Sequence, residues 1–268
     1  MKTKRIIMII AIILVIVLIG LVGYTIYQKA TFTKQNPVAT MEIEGIGTMK
    51  IELYPDQAPN TVANFITLAN RGFYDGLTFH RIIKDFMVQG GDPNGDGTGS
   101  AKISNLKDDG EDTKYTIKGE FSANNVKNTV KMEEGTLAMA RSDYTKKSSS
   151  LTEESYNSGS CQFFIVTKAA SYLNGQYTGF GKVIQGLDVV HKIEEVEVKA
   201  ADTSSETESS SNSEASTPVN PPKITSIRVE TNGVDYGLPE TLTPFDYTSW
   251  MYKQYGIDPS SLSTTTTV

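Results

Sequence analysis

The sequence predicts a mainly β fold, a closed antiparallel barrel with two flanking α-helices, preceded by one transmembrane helix. Three observations lead to this fold class. Many short apolar or alternating segments recur along residues 38–235, two segments show helical periodicity, and long polar loops separate them. A continuous apolar run lies at the N-terminus. With 268 residues, of which 38% are hydrophobic, the chain is long enough to bury one sizeable core.

The first predicted element is a membrane-spanning helix with a basic flank. Lys2, Lys4 and Arg5 precede an apolar stretch over residues 6–27, close to the ~20 residues that cross a bilayer and longer than the roughly 7 to 15 of a signal-peptide core. We therefore predict an uncleaved signal anchor at residues 1–29, with a cleaved signal as the alternative. The basic end should stay in the cytoplasm, which places everything after Lys29, including a tether at 30–37, outside.

The barrel is predicted to begin with a hairpin and a helix. Apolar residues alternate with charged ones over 41–53, around Gly45 and Gly47, which indicates two strands with one buried face. From Pro59 the apolar residues recur at helical spacing until Gly72, a residue suited to ending a helix.

The central stretch, Phe79 to Asp92, mixes apolar and polar side chains in a way that indicates a pocket. Strand alternation places Arg81 opposite its apolar neighbours, and Gln89 follows Phe86 and Met87. An apolar slot with two fixed polar groups is typical of a small-ligand or peptide site. The alternative is a solvated arginine beside ordinary core residues. The pair Gly90–Gly91 is expected to break the strand.

The loop from Asp92 to Gly99 matches the start of a calcium loop. Asp92, Asn94 and Asp96 would supply oxygen ligands, but Ile103 stands at the twelfth position, where such a loop needs a glutamate. We therefore favour a surface loop beside the pocket, with calcium binding as the alternative.

The second half of the barrel region is loop-rich. Short strands are predicted at 135–140 and 162–167, with Phe163 and Phe164 on opposite faces, and a second helix is predicted from Gly186 to Glu195. Residues 200–222 are rich in Ser, Thr and Glu and should form a disordered loop before a strand that starts near Ile224.

The tail, residues 236–268, is aromatic and then polar. Tyr247, Trp250, Met251 and Tyr255 share one face of a predicted helix, which either docks on its own barrel or contacts a membrane or partner. Residues 261–268 are expected to be disordered.

Charge and cysteine content exclude several kinds of site. A net charge of −6 argues against a nucleic-acid surface, which requires clustered Lys and Arg. Cys161 is the only cysteine, so an internal disulfide and a thiol-ligated zinc site are excluded, and its apolar surroundings favour a buried residue over a reactive thiol. His80 and His191 are the only histidines, which excludes a three-histidine metal site. We expect no cofactor.

Three segments resemble the motifs of the cyclophilin-type peptidyl-prolyl isomerases. They occur in the family's order, and they read FHRIIKDFMVQGGD at 79–92, SGSCQFFIVT at 158–167 and FGKVIQGLDVV at 180–190. The resemblance implies an eight-stranded barrel over residues 38–235, closed by the strand near Ile224. It also implies an enzyme that accelerates rotation about X-Pro bonds.

The resemblance also implies the site residues. Arg81 would stabilise the twisted prolyl amide, Gln89 would hold the substrate backbone and position the arginine, and Phe86 would belong to the same catalytic set. The implied substrate-binding residues are His80, Met87, Ala140, Arg141, Phe164, Tyr172, Leu173 and Tyr177.

Three positions depart from the family pattern. Better-known members have tryptophan where Tyr172 stands and histidine where Tyr177 stands. Both tyrosines keep a flat wall with a polar tip, so we expect a working proline pocket. The tryptophan is tied to cyclosporin binding, which leaves sensitivity to that drug open. The family often has asparagine where Arg141 stands, and the loop over 142–159 is longer and more polar, which leaves substrate preference open.

The sequence therefore indicates a monomeric, membrane-tethered prolyl isomerase. Its partners would be proline-containing polypeptides that fold after export, together with the membrane through residues 6–27. Two other functions stay open at this point. One is a tethered chaperone or scaffold that binds peptides without turnover, and the other is a calcium-regulated adhesion domain.

Overall fold

The computed structural model describes residues 2–31, 35–199 and 216–258, and the chain divides into two compact units, Met1–Gln35 and Asn36–Val268. The predictions of a loop at 200–222 and of disorder at 261–268 concern residues that lie largely or wholly outside the described ranges. The same holds for the middle of the tether at 30–37.

The first unit is one helix, α1, Lys2–Thr31. Its segment Ile6–Tyr24 is the one stretch of the described chain that is long and apolar enough to cross a membrane. A signal sequence passes the same test of length and composition, so the helix is an apolar N-terminal segment of either kind.

The second unit is an eight-stranded antiparallel sheet, which confirms the predicted strand number and direction. Its strand order is β3-β4-β6-β5-β7-β2-β1-β8. The strands are β1 Val38–Ile43, β2 Gly47–Leu53, β3 Thr78–Ile83, β4 Met87–Asp92, β5 Thr136–Met139, β6 Phe163–Val166, β7 Gly179–Gln185 and β8 Ile224–Glu230. The helices are α2 Pro59–Asn70, α3 Ile103–Leu106, α4 Thr152–Tyr156, α5 Leu187–Glu194 and α6 Tyr247–Gln254.

The sheet is curled, and its two edge strands meet only in part. The Ile224 amide donates to the Leu77 carbonyl at 2.8 Å, and the Phe79 amide donates to the Pro222 carbonyl at 2.9 Å. A full ladder cannot continue on this side because Pro221 and Pro222 carry no amide hydrogen. Within the described residues the predicted closed barrel is therefore a curled sheet with its edges pinned at one end.

Both flanking helices agree with the sequence prediction. Helix α2 is buried over most of its length, and Gly72 follows it with a φ of +76°. Helix α5, which lies within the predicted segment, buries Val189, Val190 and Ile193. Together with the concave face of the sheet, the two helices enclose one core.

The Gly90–Gly91 pair does not end its strand, which corrects the sequence prediction. Strand β4 runs on to Asp92, and Gly91 adopts a φ of +82° inside it. A Cβ atom at Gly91 would lie 2.7 Å from the Cys161 carbonyl oxygen. The glycine is therefore required by a local kink and a close backbone approach, which is the other common meaning of glycine within a strand.

The Asp92 carboxylate organises the loop that follows it. Asp92 is 1% exposed, and it accepts hydrogen bonds from the amides of Asn94, Asp96 and Gly97. In the described part of the chain, no group of three or more His, Cys, Asp or Glu residues is placed to hold a metal ion. The carboxylate acts as a cap for the loop backbone, which supports the surface-loop interpretation.

Cys161 is fully buried beside this loop, as the sequence indicated. Burial raises the pKa of its thiol to about 12. The thiol is therefore protonated and unreactive at neutral pH.

An acid–base cluster on α5 gives the fold a predicted pH dependence. The two ring nitrogens of His191 lie 3.2 Å from Glu194 and 2.9 Å from Glu134, and the hydrogen bond to Glu194, followed by that to Glu134, raises the pKa of His191. The folded pKa thus exceeds the unfolded value of about 6.5. The stabilisation is complete below pH ~6.5 and is lost as the pH rises through the folded pKa.

We expect the protonation of His191 to make the urea concentration at half-unfolding decrease as the pH rises from 6 to 8. His191→Gln should remove this contribution to the pH dependence. His80 contributes in the opposite direction, because burial lowers its pKa and its stabilisation is lost as the pH falls below ~6.5. The difference between parent and variant therefore isolates His191. Identical slopes in the two proteins would contradict the assignment.

Candidate active site

Arg81 and Gln89 face each other across the β3–β4 hairpin. The two residues are direct register partners, and Nη1 of Arg81 donates to Oε1 of Gln89 at 3.3 Å. The same nitrogen lies 4.0 Å from the sulfur of Met87. Partners on adjacent strands share one face of a sheet, so the hairpin register alone brings the predicted arginine and glutamine together.

A third polar residue, Gln162, continues this arrangement. Its Oε1 accepts from Nε2 of Gln89 at 2.9 Å, and its own Nε2 donates to the carbonyls of Gly97 at 3.1 Å and Gly99 at 2.9 Å. These hydrogen bonds fix the orientations of the Gln89 and Gln162 side-chain amides. They therefore connect the Arg81 guanidinium to the loop that contains Gly97 and Gly99.

Gln162 was missed by the sequence analysis, although the signal was present. It lies two residues before Phe164, and strand periodicity places residues two apart on the same face. A polar side chain on the same face as a pocket phenylalanine was therefore a candidate for the site.

A cavity of about 190 Å³ opens beside Arg81. Six of its nine lining residues are aliphatic or aromatic, while Arg81, Gln89 and Arg141 contribute polar groups, a mixture that suits a peptide or small-ligand site. Nine residues line it, and all of them were predicted from the sequence: Arg81, Phe86, Met87, Gln89, Ala140, Arg141, Phe164, Leu173 and Tyr177.

The cavity is built on the side of the sheet away from the main core. Phe163 belongs to the large core cluster, whereas Phe164 belongs to a smaller cluster with Met87 and Ala138. The two phenylalanines point to opposite faces of β6, as predicted. The Phe164 ring meets the Tyr177 ring edge to face, with centroids 5.6 Å apart.

Arg141 supports the cavity wall. Its Nη1 donates to Ser155 Oγ at 2.9 Å and its Nε donates to the Gln176 carbonyl at 3.2 Å. The guanidinium carbon lies 4.5 Å from the Tyr177 ring centroid, within cation–π range. The side chain lines the cavity and also holds Tyr177 in place.

Two of the predicted binding residues, His80 and Tyr172, do not line the cavity. His80 is 6% exposed, neither ring nitrogen has a hydrogen-bond partner among the described residues, and burial lowers its pKa, so the ring is neutral. Tyr172 is 70% exposed and stacks on the outer side of Phe86, with ring centroids 6.1 Å apart. The short 3₁₀ turn Ser171–Leu173 aims Leu173 at the cavity and Tyr172 at solvent.

The turn that carries Phe86 is held in place by α5. Glu194 accepts from the Asp85 amide at 2.7 Å and also from the Thr167 hydroxyl. Asp85 has a φ of +58°, a left-handed conformation that this hydrogen bond helps to maintain. The Thr167 amide in turn donates to the Phe86 carbonyl at 2.9 Å.

The comparisons with known proteins agree with this fold. The family model described as cyclophilin type peptidyl-prolyl cis-trans isomerase matches residues 38–229. Peptidyl-prolyl cis-trans isomerase B of Bacillus subtilis is 42% identical over 146 residues, covering 54% of this chain and 82% of the relative. Peptidyl-prolyl cis-trans isomerase-like 1 of Mus musculus is 36% identical over 173 residues, covering 63% of this chain and 87% of the relative.

Longer relatives and solved structures match as well. Peptidyl-prolyl cis-trans isomerase 9 of Schizosaccharomyces pombe is 42% identical over 157 residues, which are 58% of this chain but only 22% of that protein. A crystal structure of a Cryptosporidium parvum cyclophilin type peptidyl-prolyl cis-trans isomerase aligns with a TM-score of 0.55 at 26% identity, covering 73% of this chain and 98% of that one. A crystal structure of the same C. parvum protein in the presence of the dipeptide Ala-Pro gives a TM-score of 0.54 at 25% identity, covering 72% of this chain and 98% of that one.

Proposed function

Since this chain belongs to the cyclophilin-type peptidyl-prolyl cis-trans isomerases, we propose that it accelerates X-Pro rotation at the Arg81 cavity, in polypeptides that fold after export across a membrane. Isomerase activity follows from membership of the family. The assignment of the residues and of the substrates is our proposal.

The reaction needs no nucleophile, because no bond is broken. Conjugation imposes a barrier of roughly 18–20 kcal/mol on amide rotation, and uncatalysed X-Pro isomerisation takes tens to hundreds of seconds. When the amide twists, the lone pair returns to the prolyl nitrogen and can accept a hydrogen bond. A donor aimed at that nitrogen stabilises the twisted state and gains little from the planar one.

The observation that carries the proposal is the placement of Arg81. Gln89 holds its guanidinium at the polar edge of a cavity whose other walls include Phe164 and Leu173. The apolar side receives the proline ring, and the guanidinium then lies beside the prolyl nitrogen. Gln89 also has the capacity to bind the substrate backbone, and Phe86 and Met87 complete the wall.

A protease-coupled isomerisation assay on the full chain in detergent tests the proposal. We expect the rate of cis-to-trans conversion of a short proline peptide to be well above the uncatalysed rate. The rival function, a tethered chaperone or scaffold, predicts saturable peptide binding with no acceleration. That result would remove the proposed chemistry.

Gln162 is proposed as a positioning residue, and its replacement by leucine tests this role. We expect kcat/KM to fall about tenfold, the effect of losing one or two hydrogen bonds that orient Arg81. The loss should appear in kcat with KM nearly unchanged, because the oriented guanidinium acts mainly on the twisted state.

Gln57→Leu is the matched control for this variant. Gln57 is another partly buried glutamine, and its Oε1 accepts from the Thr129 amide at 2.9 Å, away from the cavity. Its replacement should leave kcat unchanged. Equal losses in the two variants would assign the effect of Gln162 to general destabilisation.

We also propose that α1 anchors the enzyme in a membrane with its catalytic domain on the extracytoplasmic side. The support is the length and apolarity of Ile6–Tyr24 and the lysines and arginine that precede it. The chain should stay with membranes after an alkaline wash, and protease added outside intact spheroplasts should digest the catalytic domain. Release into the wash, or full protection from protease, would contradict this topology.

A further inference from the structure

A second cavity adjoins the first and is larger, with a volume of about 300 Å³. Gln89, Ala140 and Arg141 line both cavities, so the two spaces share one wall. Most of the remaining lining is polar and uncharged, and it consists of Thr98, Ser100, Thr116, Ser142, Ser158, Ser160 and Gln162 with the backbone of Gly97 and Gly99.

The outer wall of the second cavity comes from the C-terminal tail. Pro244 and Phe245 line it together with Tyr144 of the loop that follows β5. The rings of Phe245 and Tyr144 meet with centroids 5.3 Å apart. Tyr247 also stacks on Tyr144, with an interplanar angle of 4°, and Trp250 stacks on Tyr247.

Backbone and side-chain hydrogen bonds fix this tail to the sheet domain. The Leu242 amide donates to the Thr116 carbonyl at 2.7 Å, and the Thr116 amide donates back to Leu242 at 3.0 Å. Asn60 makes a second reciprocal pair with the backbone of Glu240, at 2.9 and 2.7 Å. The tail, residues 236–268, lies beyond residue 229, where the family match ends, so Pro244 and Phe245 are outside the matched family domain.

The lining determines what the cavity accepts. Among the described residues that line it, none is acidic, and the one cation, Arg141, already donates to Ser155 and to the Gln176 carbonyl. Most of its lining residues carry hydroxyl or amide groups, which suit a neutral polar side chain. Because the two cavities share a wall and one residue spans about 3.3–3.6 Å, we assign that side chain to a residue close to the proline in the substrate sequence.

We propose that the C-terminal tail is a specificity element, in which Phe245 and Tyr144 close a cavity that accepts a neutral polar side chain flanking the substrate proline. This inference rests on the proposed function, since the proline itself occupies the Arg81 cavity. It assigns the aromatic tail a part in substrate choice, instead of a contact with the membrane or with another protein.

The test uses the full chain and a peptide set in which one residue within three positions of the proline is asparagine, serine, leucine or phenylalanine and the others are alanine. At one of these peptide positions, the kcat/KM of the parent should be about fivefold higher with asparagine or serine than with leucine. A fivefold difference is the effect of one hydrogen-bonded contact. Phe245→Ala and Tyr144→Ala should each reduce that ratio to about one.

Tyr255→Ala is the matched control, because Tyr255 follows α6, is 77% exposed and does not line the cavity. It should keep the parent ratio. Phe245→Ala and Tyr144→Ala remove the two partners of the same aromatic contact. If thermal unfolding shows that one variant is misfolded, the other variant still tests the inference.

Dissociation constants for the same peptides are measured in parallel, so that selectivity is read independently of turnover. If the parent shows no turnover of the all-alanine peptide but binds with the expected ratio, the proposed function fails and the tail inference stands. If the parent and both wall variants share one ratio, in rate and in binding, the tail inference is overturned while the isomerase proposal is untouched.

Discussion

Arg81→Ala is expected to lower kcat/KM for a proline peptide by roughly a hundredfold to a thousandfold, the loss seen when one preorganised donor to a developing charge is removed. Arg81 lies at the rim of the cavity and is only partly buried, and its partner Gln89 keeps a second hydrogen bond to Gln162. The far-ultraviolet circular dichroism and the unfolding midpoint should therefore stay close to those of the parent.

Arg81→Lys provides the control for charge. Lysine keeps the positive charge but lacks the planar fork that Gln89 orients, so most of the activity should remain lost. A lysine variant with near-parental kcat would show that charge alone suffices. An alanine variant that retains the parental rate would remove Arg81 from the mechanism.

The second large effect is expected at Phe163, in the free energy of unfolding. Its ring is fully buried and meets those of Phe65, Tyr74 and Phe79 edge to face, with centroids 5.6 to 6.1 Å apart. Phe163→Ala should cost about 3–5 kcal/mol, because it removes transfer energy and leaves a cavity in a packed interior. Urea denaturation of the parent and the variant measures the difference.

The adjacent residue, Phe164, provides a control for the Phe163 variant. Phe164 lies on the same strand with its ring in the small cluster at the active site. Phe164→Ala should destabilise the protein less than Phe163→Ala and should raise KM for proline peptides, because it removes part of the cavity wall. If Phe164→Ala instead caused the larger loss of stability and Phe163→Ala raised KM, the assignment of Phe163 to the core and Phe164 to the cavity would be wrong.

The parts of the site that lie within one hairpin or one strand were predictable from the sequence. Arg81 and Gln89 are eight residues apart on a tight hairpin, so the register pairs them. Phe163 and Phe164 alternate because strand geometry has a period of two. Both relations depend only on residues close together in the sequence, so they can be predicted from sequence spacing.

The errors arose where distant segments decide the outcome. Gly90–Gly91 looked like a strand break because the sequence does not show the Cys161 carbonyl that only a glycine can approach. The start of the tail helix also depends on distant segments. It begins at Tyr247 with Asp246 as its N-cap, because the preceding residues pair with Thr116 and pack on Tyr144.

The partial closure of the sheet has a similar origin. The antiparallel arrangement follows from the pattern of short alternating segments and the strand number from the family resemblance, but closure depends on how many amides the approaching edges can offer each other. Pro221 and Pro222 remove two of them just before β8. The edges are therefore joined by a few hydrogen bonds near Leu77 and Phe79.

The burial of Cys161 makes this protein convenient for site-directed labelling. Its thiol is enclosed, and a pKa of about 12 keeps it protonated at the pH where maleimides react. A cysteine engineered at an exposed position, such as Tyr255, would carry the only available thiolate in the natural background, with no need to delete the native one. A dye attached there would report, by quenching from one side of a vesicle, whether the chain has the membrane topology that we propose.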